Sequence, residues 1–351
     1  MTLQLIIVGA SITGLSLAHM IEKLSLDIEF VILEAYPEIA PQVGASIGLL
    51  PNGLRILDQL ECYERIRSIA GNFYLKTVMR NSDGQLSSES RSASISERLE
   101  DRIGYPSLFI DRQMLLQVLY ENLKRKDRVL LAKRVVRAEM DGDRACLHTE
   151  DGSSYEGGLV VGADGVHSII RREICRLASS AGNNLFLPDE GSRCPPATQH
   201  TVFYEGWGYL TVHPITAQGG NGAMESAGAL VNALSSKLRQ NAQGLSRMDI
   251  DSIFDEVQSS RFRRAQNIVK DGERTQSIVN QRYPFSTLMI KYLVPVLGDD
   301  LFFDGWLKSS IGGLRLNGLP IPEKSKNKAF QDKLIGKRSD NKYRRYWSIA
   351  L

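Results

Sequence analysis

A glycine-rich hexapeptide near the amino end carries the first chemical signal. Gly9, Ser11 and Gly14 form a G-x-S-x-x-G pattern that follows a β-branched apolar run at residues 3–8. In a strand–turn–helix unit, the first glycine permits the tight turn and the last lets the helix pack close to the strand. The N–H groups at the start of such a helix bind a pyrophosphate. Ser11 replaces the middle glycine, and its hydroxyl can compensate with a hydrogen bond.

Glu34 completes a dinucleotide-binding pattern. It follows a second apolar run at residues 28–33 and lies 25 residues after Gly9. A carboxylate at the end of this strand accepts hydrogen bonds from ribose hydroxyls. With an amphipathic helix at residues 12–24, the two strands form a βαβ unit. We therefore expect an α/β fold with a Rossmann-type dinucleotide-binding domain, and at this point NAD and FAD are both open.

A second turn, GADG at residues 162–165, follows a strand predicted at 159–161 and precedes a helix predicted from about Ser168. The plain interpretation is an Asp-Gly turn before a capped helix. With Ser168 and Arg171 behind it, the turn resembles the second fingerprint of the aromatic-hydroxylase-like FAD monooxygenases. The resemblance implies that Asp164 and the backbone of the turn help to hold the FAD ribose and pyrophosphate.

Further segments resemble the paxilline-type FAD monooxygenases of fungal indole-diterpene and meroterpenoid biosynthesis. They are VGASIGLLPNG at 43–53, IDRQMLL at 110–116, QGGNGAMESA at 218–227, and the stretch 292–322. The resemblance implies FAD contacts at Glu34, Gly48 and Arg112, and at Gly220 beside the isoalloxazine ring. From the residues alone, Arg112 is also open to interpretation as a surface ion pair with Asp111, which would stabilise little.

The resemblance implies an FAD-dependent monooxygenase that uses NAD(P)H and O₂. Its substrate would be a small hydrophobic, terpenoid-type secondary metabolite that is epoxidised or hydroxylated. The flavin performs the redox chemistry, so the chain must supply orientation and water exclusion. We assign no catalytic residue; Arg193 and Tyr204 are candidates by rough position only, and surface positions are the simpler interpretation. An NAD-linked dehydrogenase would leave the segments at 162–165 and 218–227 unexplained.

The interval between Arg171 and Gln218 departs from the family pattern. It spans only 47 residues, where the family holds a substrate-covering sheet and then a Gly-Asp-Ser-x-His-Lys segment. Residues 208–218 read GYLTVHPITAQ and lack the Asp that binds the ribityl chain in the family. Asp299 follows a glycine too late in the chain to replace it. A second hypothesis is therefore a truncated or splice-variant relative that binds FAD weakly or does not catalyse.

We expect four regions along the chain. They are an FAD-binding domain, an abbreviated β substrate region, a helical part that closes the FAD site, and a poorly ordered basic tail, at residues 1–178, 179–213, 214–322 and 323–351. Within them, the pattern predicts helices from Pro51, after Asp111, at 222–238 and at 250–269, a small antiparallel sheet at 135–155, a glycine-rich loop at 44–49 and an exposed loop at 87–102.

Charge and composition narrow the class of protein. The net charge of +3 argues against a general nucleic-acid binder. Residues 324–345 contain nine basic and two acidic side chains, which suits either a solvated terminus or weak contact with an anionic membrane surface. The five histidines lack the spacing of zinc ligands, so we expect no metal.

The location of the protein is also an expectation from sequence. The four cysteines are widely spread and form no CxxC pair, which fits free thiols in a reducing compartment. The first residues lack the pattern of a secretion signal, and no apolar stretch of 18 residues occurs. We expect a cytoplasmic protein, with the membrane surface as an alternative; the oligomeric state is left open.

Overall fold

The computed structural model describes residues 2–41, 46–72, 78–80, 86–89, 94–142, 144–165, 167–180, 218–241, 244–279, 292 and 300–324. In chain order, its strands are β1 (Leu3–Val8), β2 (Ile28–Leu33), β3 (Ser46–Leu49), β4 (Gly71–Asn72), β5 (Val78–Arg80), β6 (Leu86–Glu89), β7 (Leu108–Asp111), β8 (Val129–Leu130), β9 (Val135–Asp141), β10 (Arg144–Thr149), β11 (Ser154–Gly157) and β12 (Leu159–Gly162). Its helices are α1 (Ile12–Lys23), α2 (Pro51–Gln59), α3 (Tyr63–Ile69), α4 (Ile95–Ile103), α5 (Arg112–Asn122), α6 (Ile169–Ser180), α7 (Gly219–Gln240), α8 (Arg247–Val279) and α9 (Asp300–Ile311).

A parallel sheet with the order β12-β1-β2-β8 positions the dinucleotide motif. Successive side chains of a strand point to opposite faces. In β1, Leu5 and Ile7 therefore enter the main core, whereas Ile6 and Val8 enter a second core on the other face. This burial on both faces is why residues 5–8 of the strand form a continuous apolar run. The predicted βαβ unit and the α/β fold are confirmed.

Helix α1 lies in the middle of the main core, between α5 and α7. Its residues Leu15, Leu17, Ala18 and Ile21 are all buried. Because α1 and β1 are both fixed by surrounding apolar side chains, the turn that joins them is held on a rigid support.

The small antiparallel sheet has the order β11-β10-β9 and lies where it is predicted. Its two turns place Gly142 at φ +58° and Gly152 at φ +83°. Such positive φ values favour glycine, which explains why Asp-Gly pairs mark both turns.

Two expected loops contain regular structure. Residues 87–102 were predicted as an exposed loop, and this prediction is wrong: they hold the end of β6 and most of α4. Every fourth residue of α4 is apolar, at Ile95, Leu99 and Ile103, and these three pack in one cluster with α9. The described part of the glycine-rich stretch, residues 46–49, is strand β3, antiparallel to β7.

The two long helices after the undescribed interval extend beyond their predicted bounds. Helix α7 begins three residues before residue 222, and α8 reaches Val279 rather than residue 269. The expected substrate region at 179–213 lies almost wholly outside the described residues, as does the basic tail beyond residue 324. The four-region division stays a prediction.

Candidate functional site

The β1–α1 turn tolerates no side chain at its two glycines. Gly9 has φ +105° and donates its N–H to the Leu33 carbonyl at 2.8 Å. A Cβ atom on Gly9 would lie 2.6 Å from the Ala163 carbonyl oxygen, and one on Gly14 would lie 1.9 Å from the Gly9 carbonyl oxygen. The backbone is therefore packed as closely as the sequence motif predicts.

Ser11 turns its hydroxyl away from the helix that it precedes. It is the N-cap residue of α1 but makes no side-chain cap hydrogen bond. Its Oγ instead accepts a hydrogen bond from Arg112 Nη2 at 2.9 Å. Asp111 meanwhile caps α5 by accepting the Gln113 N–H at 2.8 Å. The first turn of α1 thus keeps its positive amide end, and a guanidinium lies beside it.

Glu34 ties the end of β2 to the same turn. Its carboxylate accepts the Ala10 N–H at 2.6 Å and the Tyr36 N–H at 2.9 Å, one on each oxygen. The residue is only 9% exposed. An ionised carboxylate has about four lone-pair sites, so Glu34 keeps the capacity to accept ribose hydroxyls while the backbone holds it in place.

The GADG turn lies against the first turn. A Cβ atom on Gly9 would approach Asp164 Cα to 3.2 Å. Asp164 accepts the Ile169 and Ile170 N–H groups at 2.7 and 3.1 Å and the Ser168 hydroxyl at 2.5 Å. The carboxylate therefore caps α6, as the plain interpretation of the motif requires. Its contact with FAD stays a prediction.

The amino end of α7 is the last of the predicted site segments. A Cβ atom on Gly220 would lie 3.3 Å from Ile12 Cδ1 and 3.7 Å from Ile47 Cγ2. The start of α7 therefore lies beside the start of α1 and beside strand β3. The N-cap residue Gln218 makes no side-chain cap hydrogen bond, so a second helix presents its positive end here.

Asn221 binds β3 and the start of α2 to α7. Its Nδ2 donates to the Gly48 carbonyl at 3.0 Å, and its Oδ1 accepts the Leu50 N–H at 3.1 Å. A Cβ atom on Gly53 would lie 2.0 Å from that Oδ1, so only glycine leaves room for the amide. Gly48 thus acts through its backbone carbonyl, in a buried setting.

A buried polar network at the amino end of α7 was not recognised from sequence. Asn52 Nδ2 donates to Gln218 Oε1 at 3.0 Å and to Glu225 Oε1 at 2.8 Å. Glu225 also pairs with Arg261 and Arg264 of α8. Burial opposes ionisation of Glu225, but these two arginines outweigh it and lower the pKa of its carboxyl. The available signal was one acidic residue in the apolar stretch of α7.

The structure brings the predicted site residues together through short contacts. Ser11 is hydrogen-bonded to Arg112, and Ala10 is hydrogen-bonded to Glu34. Gly9 packs against the GADG turn, and Gly220 packs against Ile12. Two helix amino ends, one guanidinium and one carboxylate therefore surround a close-packed glycine turn. This donor set fits the diphosphate and ribose of FAD. Arg193, Tyr204 and residues 208–217 lie outside the described residues.

Within the described ranges, no group of three or more His, Cys, Asp or Glu side chains could hold a metal ion. In the same part of the chain, no helix combines the length and the apolar character that a bilayer crossing requires.

Comparison with known proteins identifies the family. Residues 2–181 match the model of the FAD binding domain family. The FAD-dependent monooxygenase nvfK of Aspergillus novofumigatus is 46% identical over 187 residues, which cover 53% of this chain and 38% of nvfK. The FAD-dependent monooxygenase janM of Penicillium janthinellum is 42% identical over 182 residues, 52% of this chain and 37% of janM. The matched part is thus well under half of either relative.

Solved structures share the fold. HpxO of Klebsiella pneumoniae, complexed with FAD and uric acid, superposes with a TM-score of 0.64 at 18% identity, covering 89% of this chain and 97% of HpxO. The p-nitrophenol 4-monooxygenase PnpA of Pseudomonas putida gives 0.62 at 15% identity, covering 89% and 98%. The predicted FAD-binding fold, the choice of FAD over NAD and the resemblance to fungal FAD-dependent monooxygenases are confirmed.

Proposed function

The chain belongs to the FAD binding domain family, and we propose that it is an FAD-dependent monooxygenase. One observation carries the proposal: the amino ends of α1 and α7 meet at Ile12 and Gly220, with Arg112 and Glu34 beside the first of them. An NAD-linked dehydrogenase would require only the α1 turn. A second helix end beside the first suits a cofactor with a polar ring, such as a flavin.

Each site residue has a task in this proposal. The N–H groups of the α1 turn and the Arg112 guanidinium bind the pyrophosphate, and Ser11 orients Arg112 toward it. Glu34 binds the adenosine ribose. The amino end of α7 would lie beside the flavin ring. A bound flavin would supply the redox chemistry, with NAD(P)H as the reductant and O₂ as the source of one oxygen atom for the substrate and one for water.

The proposed substrate is a small hydrophobic, terpenoid-type metabolite with an electron-rich double bond or ring. This class follows from the resemblance of segments 43–53, 110–116 and 218–227 to enzymes of fungal terpenoid pathways. The curated relatives are monooxygenases by name.

Oxygen transfer is tested directly with labelled O₂. The protein is loaded with FAD and given NADPH, ¹⁸O₂ and a panel of prenylated aromatic and polycyclic terpenoid alkenes. We expect one ¹⁸O atom in the product for each NADPH consumed. If an FAD-loaded protein used all of the electrons from NADPH to reduce O₂ to hydrogen peroxide with every substrate, the proposed activity would be contradicted.

The 47-residue interval after Arg171 favours a second candidate, an impaired FAD-binding relative. Such a protein would bind FAD but protect it poorly from water, because part of the substrate cover is shortened. The coupling ratio of the ¹⁸O experiment separates the two candidates. Sequencing the transcript across codons 180–215 then shows whether an exon has been skipped.

We further propose a cytoplasmic location, since the described cysteines, Cys62, Cys146 and Cys175, are free thiols. The basic residues at 324–345 would allow weak binding to anionic lipid. Cosedimentation with phosphatidylserine vesicles at low and high salt tests this contact.

A further inference from the structure

A cluster of charged side chains from α7 and α8 lies next to the amino end of α7. Glu225 is fully buried, and its carboxylate accepts from Arg264 Nε and Nη2, both at 2.6 Å. Arg261 Nη1 also pairs with Glu225, and its side chain is only 7% exposed. Among the described residues, no other carboxylate forms a salt bridge with either guanidinium. Within this part of the chain, the cluster therefore has one excess positive charge, on arginine side chains that are 7% and 17% exposed.

Hydrogen bonds connect this cluster to the first residues of α7. Asn52 bridges Glu225 and Gln218, the residue that precedes the helix. Arg261 donates to the Gly222 carbonyl at 3.3 Å and to Ser226 Oγ at 3.2 Å. Arg261 directly, and Glu225 through Asn52, thus hold the first two turns of α7 in place.

We propose that Glu225, Arg261 and Arg264 are positioning residues for the flavin: they fix the amino end of α7 and raise the reduction potential of the ring bound there. This inference rests on the proposed function. One hydride from NAD(P)H transfers two electrons and one proton, so the flavin gains one negative charge as NAD(P)⁺ is released. A buried positive charge behind the helix end favours the more negative, reduced state, because buried charges are little screened by solvent.

The test is a titration of the FAD-loaded protein against a redox dye, followed by the flavin absorption. Arg264→Gln removes the excess charge, and we expect the ratio of reduced to oxidised flavin at a fixed dye potential to fall about tenfold. For a two-electron couple this corresponds to a midpoint lowered by about 30 mV. Arg264→Lys keeps the charge and is expected to keep the wild-type potential.

A group of ion pairs at the surface provides the control. Arg125 and Arg128 both pair with Glu29 at the amino end of β2, on partly exposed side chains. Because Arg128 also pairs with Asp127, Arg125→Gln removes one positive charge from a partly exposed group of ion pairs. We expect it to leave the flavin potential unchanged.

The outcomes separate this inference from the proposed function. A wild-type protein that binds no FAD defeats the proposed function, whereas FAD-loaded Arg264→Gln with the wild-type potential overturns the inference alone. If Arg264→Gln does not fold, Gln218→Glu replaces it, because the side chain of Gln218 contacts Asn52, which bridges to Glu225, and a carboxylate there offsets the excess positive charge. A potential in Gln218→Glu equal to that of wild type would likewise overturn the inference.

Discussion

At the scale of single residues, backbone geometry explains which parts of the site could be predicted. Gly9, Gly14 and Glu34 are recognisable because a tight turn, a close helix–strand approach and a ribose contact each demand one residue type at one spacing. Asn221 and Glu225 fulfil equally specific tasks, but their partners lie far away in the chain. The only local signal is the charge of Glu225 within the apolar stretch of α7, and it does not reveal the partners of either residue.

Replacing Gly14 by alanine tests the close-packed turn. The new Cβ would lie 1.9 Å from the Gly9 carbonyl oxygen, so backbone must move. We expect a loss of about 1–3 kcal/mol in the free energy of unfolding and a large loss of FAD affinity. Gly305→Ala in α9 is the matched control, because its Cβ would meet no atom within 4 Å. Urea unfolding and FAD titration measure both variants; equal behaviour would refute the packing argument.

His19 makes stability depend on pH. It is 1% exposed, and burial lowers its pKa below 6.5, with Glu22 opposing the shift. Below about pH 6.5 the unfolded chain binds a proton that the folded chain does not. As the pH is lowered from this value, the free energy of unfolding should therefore decrease. The decrease from this group is at most about 1.4 kcal/mol per pH unit, and it ends when the folded pKa is reached.

The comparison of His19→Leu with wild type isolates this contribution. Urea unfolding between about pH 7.5 and 5 should show a shallower decline for His19→Leu. An unchanged slope in His19→Leu would show that another group titrates.

At the scale of elements, strands and helices with local periodicity were predictable and their packing partners were not. The βαβ unit carries its own turn chemistry, so its bounds followed from sequence. Helix α4 was missed because serines and charged residues outnumber its three apolar positions, although those positions recur every four residues and pack against α9. The strand in the glycine-rich stretch was missed because its partner β7 lies about 60 residues later.

The junction of β3, α2 and α7 depends on one amide. Asn221→Ala leaves the buried Gly48 carbonyl and Leu50 N–H without their side-chain partner, at a cost of about 1–3 kcal/mol for each group. Asn232 offers a control in the same helix, because its amide bonds the Arg315 carbonyl and the Asn317 N–H at 2.8 Å near solvent. In thermal unfolding, the melting temperature of Asn221→Ala should be well below that of Asn232→Ala. Similar melting temperatures would contradict this account.

At the scale of the whole molecule, the last described segment closes over the amino-terminal half. Gln59 Nε2 donates to the Leu316 carbonyl at 3.1 Å, and its Oε1 accepts the Leu316 N–H at 2.8 Å. Lys324 adds ion pairs to Asp58 and Glu64. A separation of 257 residues between Gln59 and Leu316 explains why sequence alone could not predict this closure.

Gln59→Leu should release that segment. Two buried backbone groups of Leu316 would lose their partners, so we expect about 1–3 kcal/mol of destabilisation per group and faster amide hydrogen exchange at Leu316. Gln117→Leu, which removes an exposed hydrogen bond to Glu121, should leave exchange at Leu316 as in wild type. Slow exchange at Leu316 in Gln59→Leu would mean that apolar packing alone holds the segment.

The central claim is that two helix amino ends, Arg112 and Glu34 form one cradle for FAD. An equilibrium titration of the purified, cooperatively folded protein with FAD, followed by quenching of flavin fluorescence, tests it most directly. The account predicts saturation at one FAD per chain, with binding weakened about tenfold or more in Arg112→Ala, because a charged hydrogen bond contributes about 1.5–3 kcal/mol. A folded protein that leaves the flavin fluorescence unchanged, or an Arg112→Ala variant that binds as tightly as wild type, would contradict it.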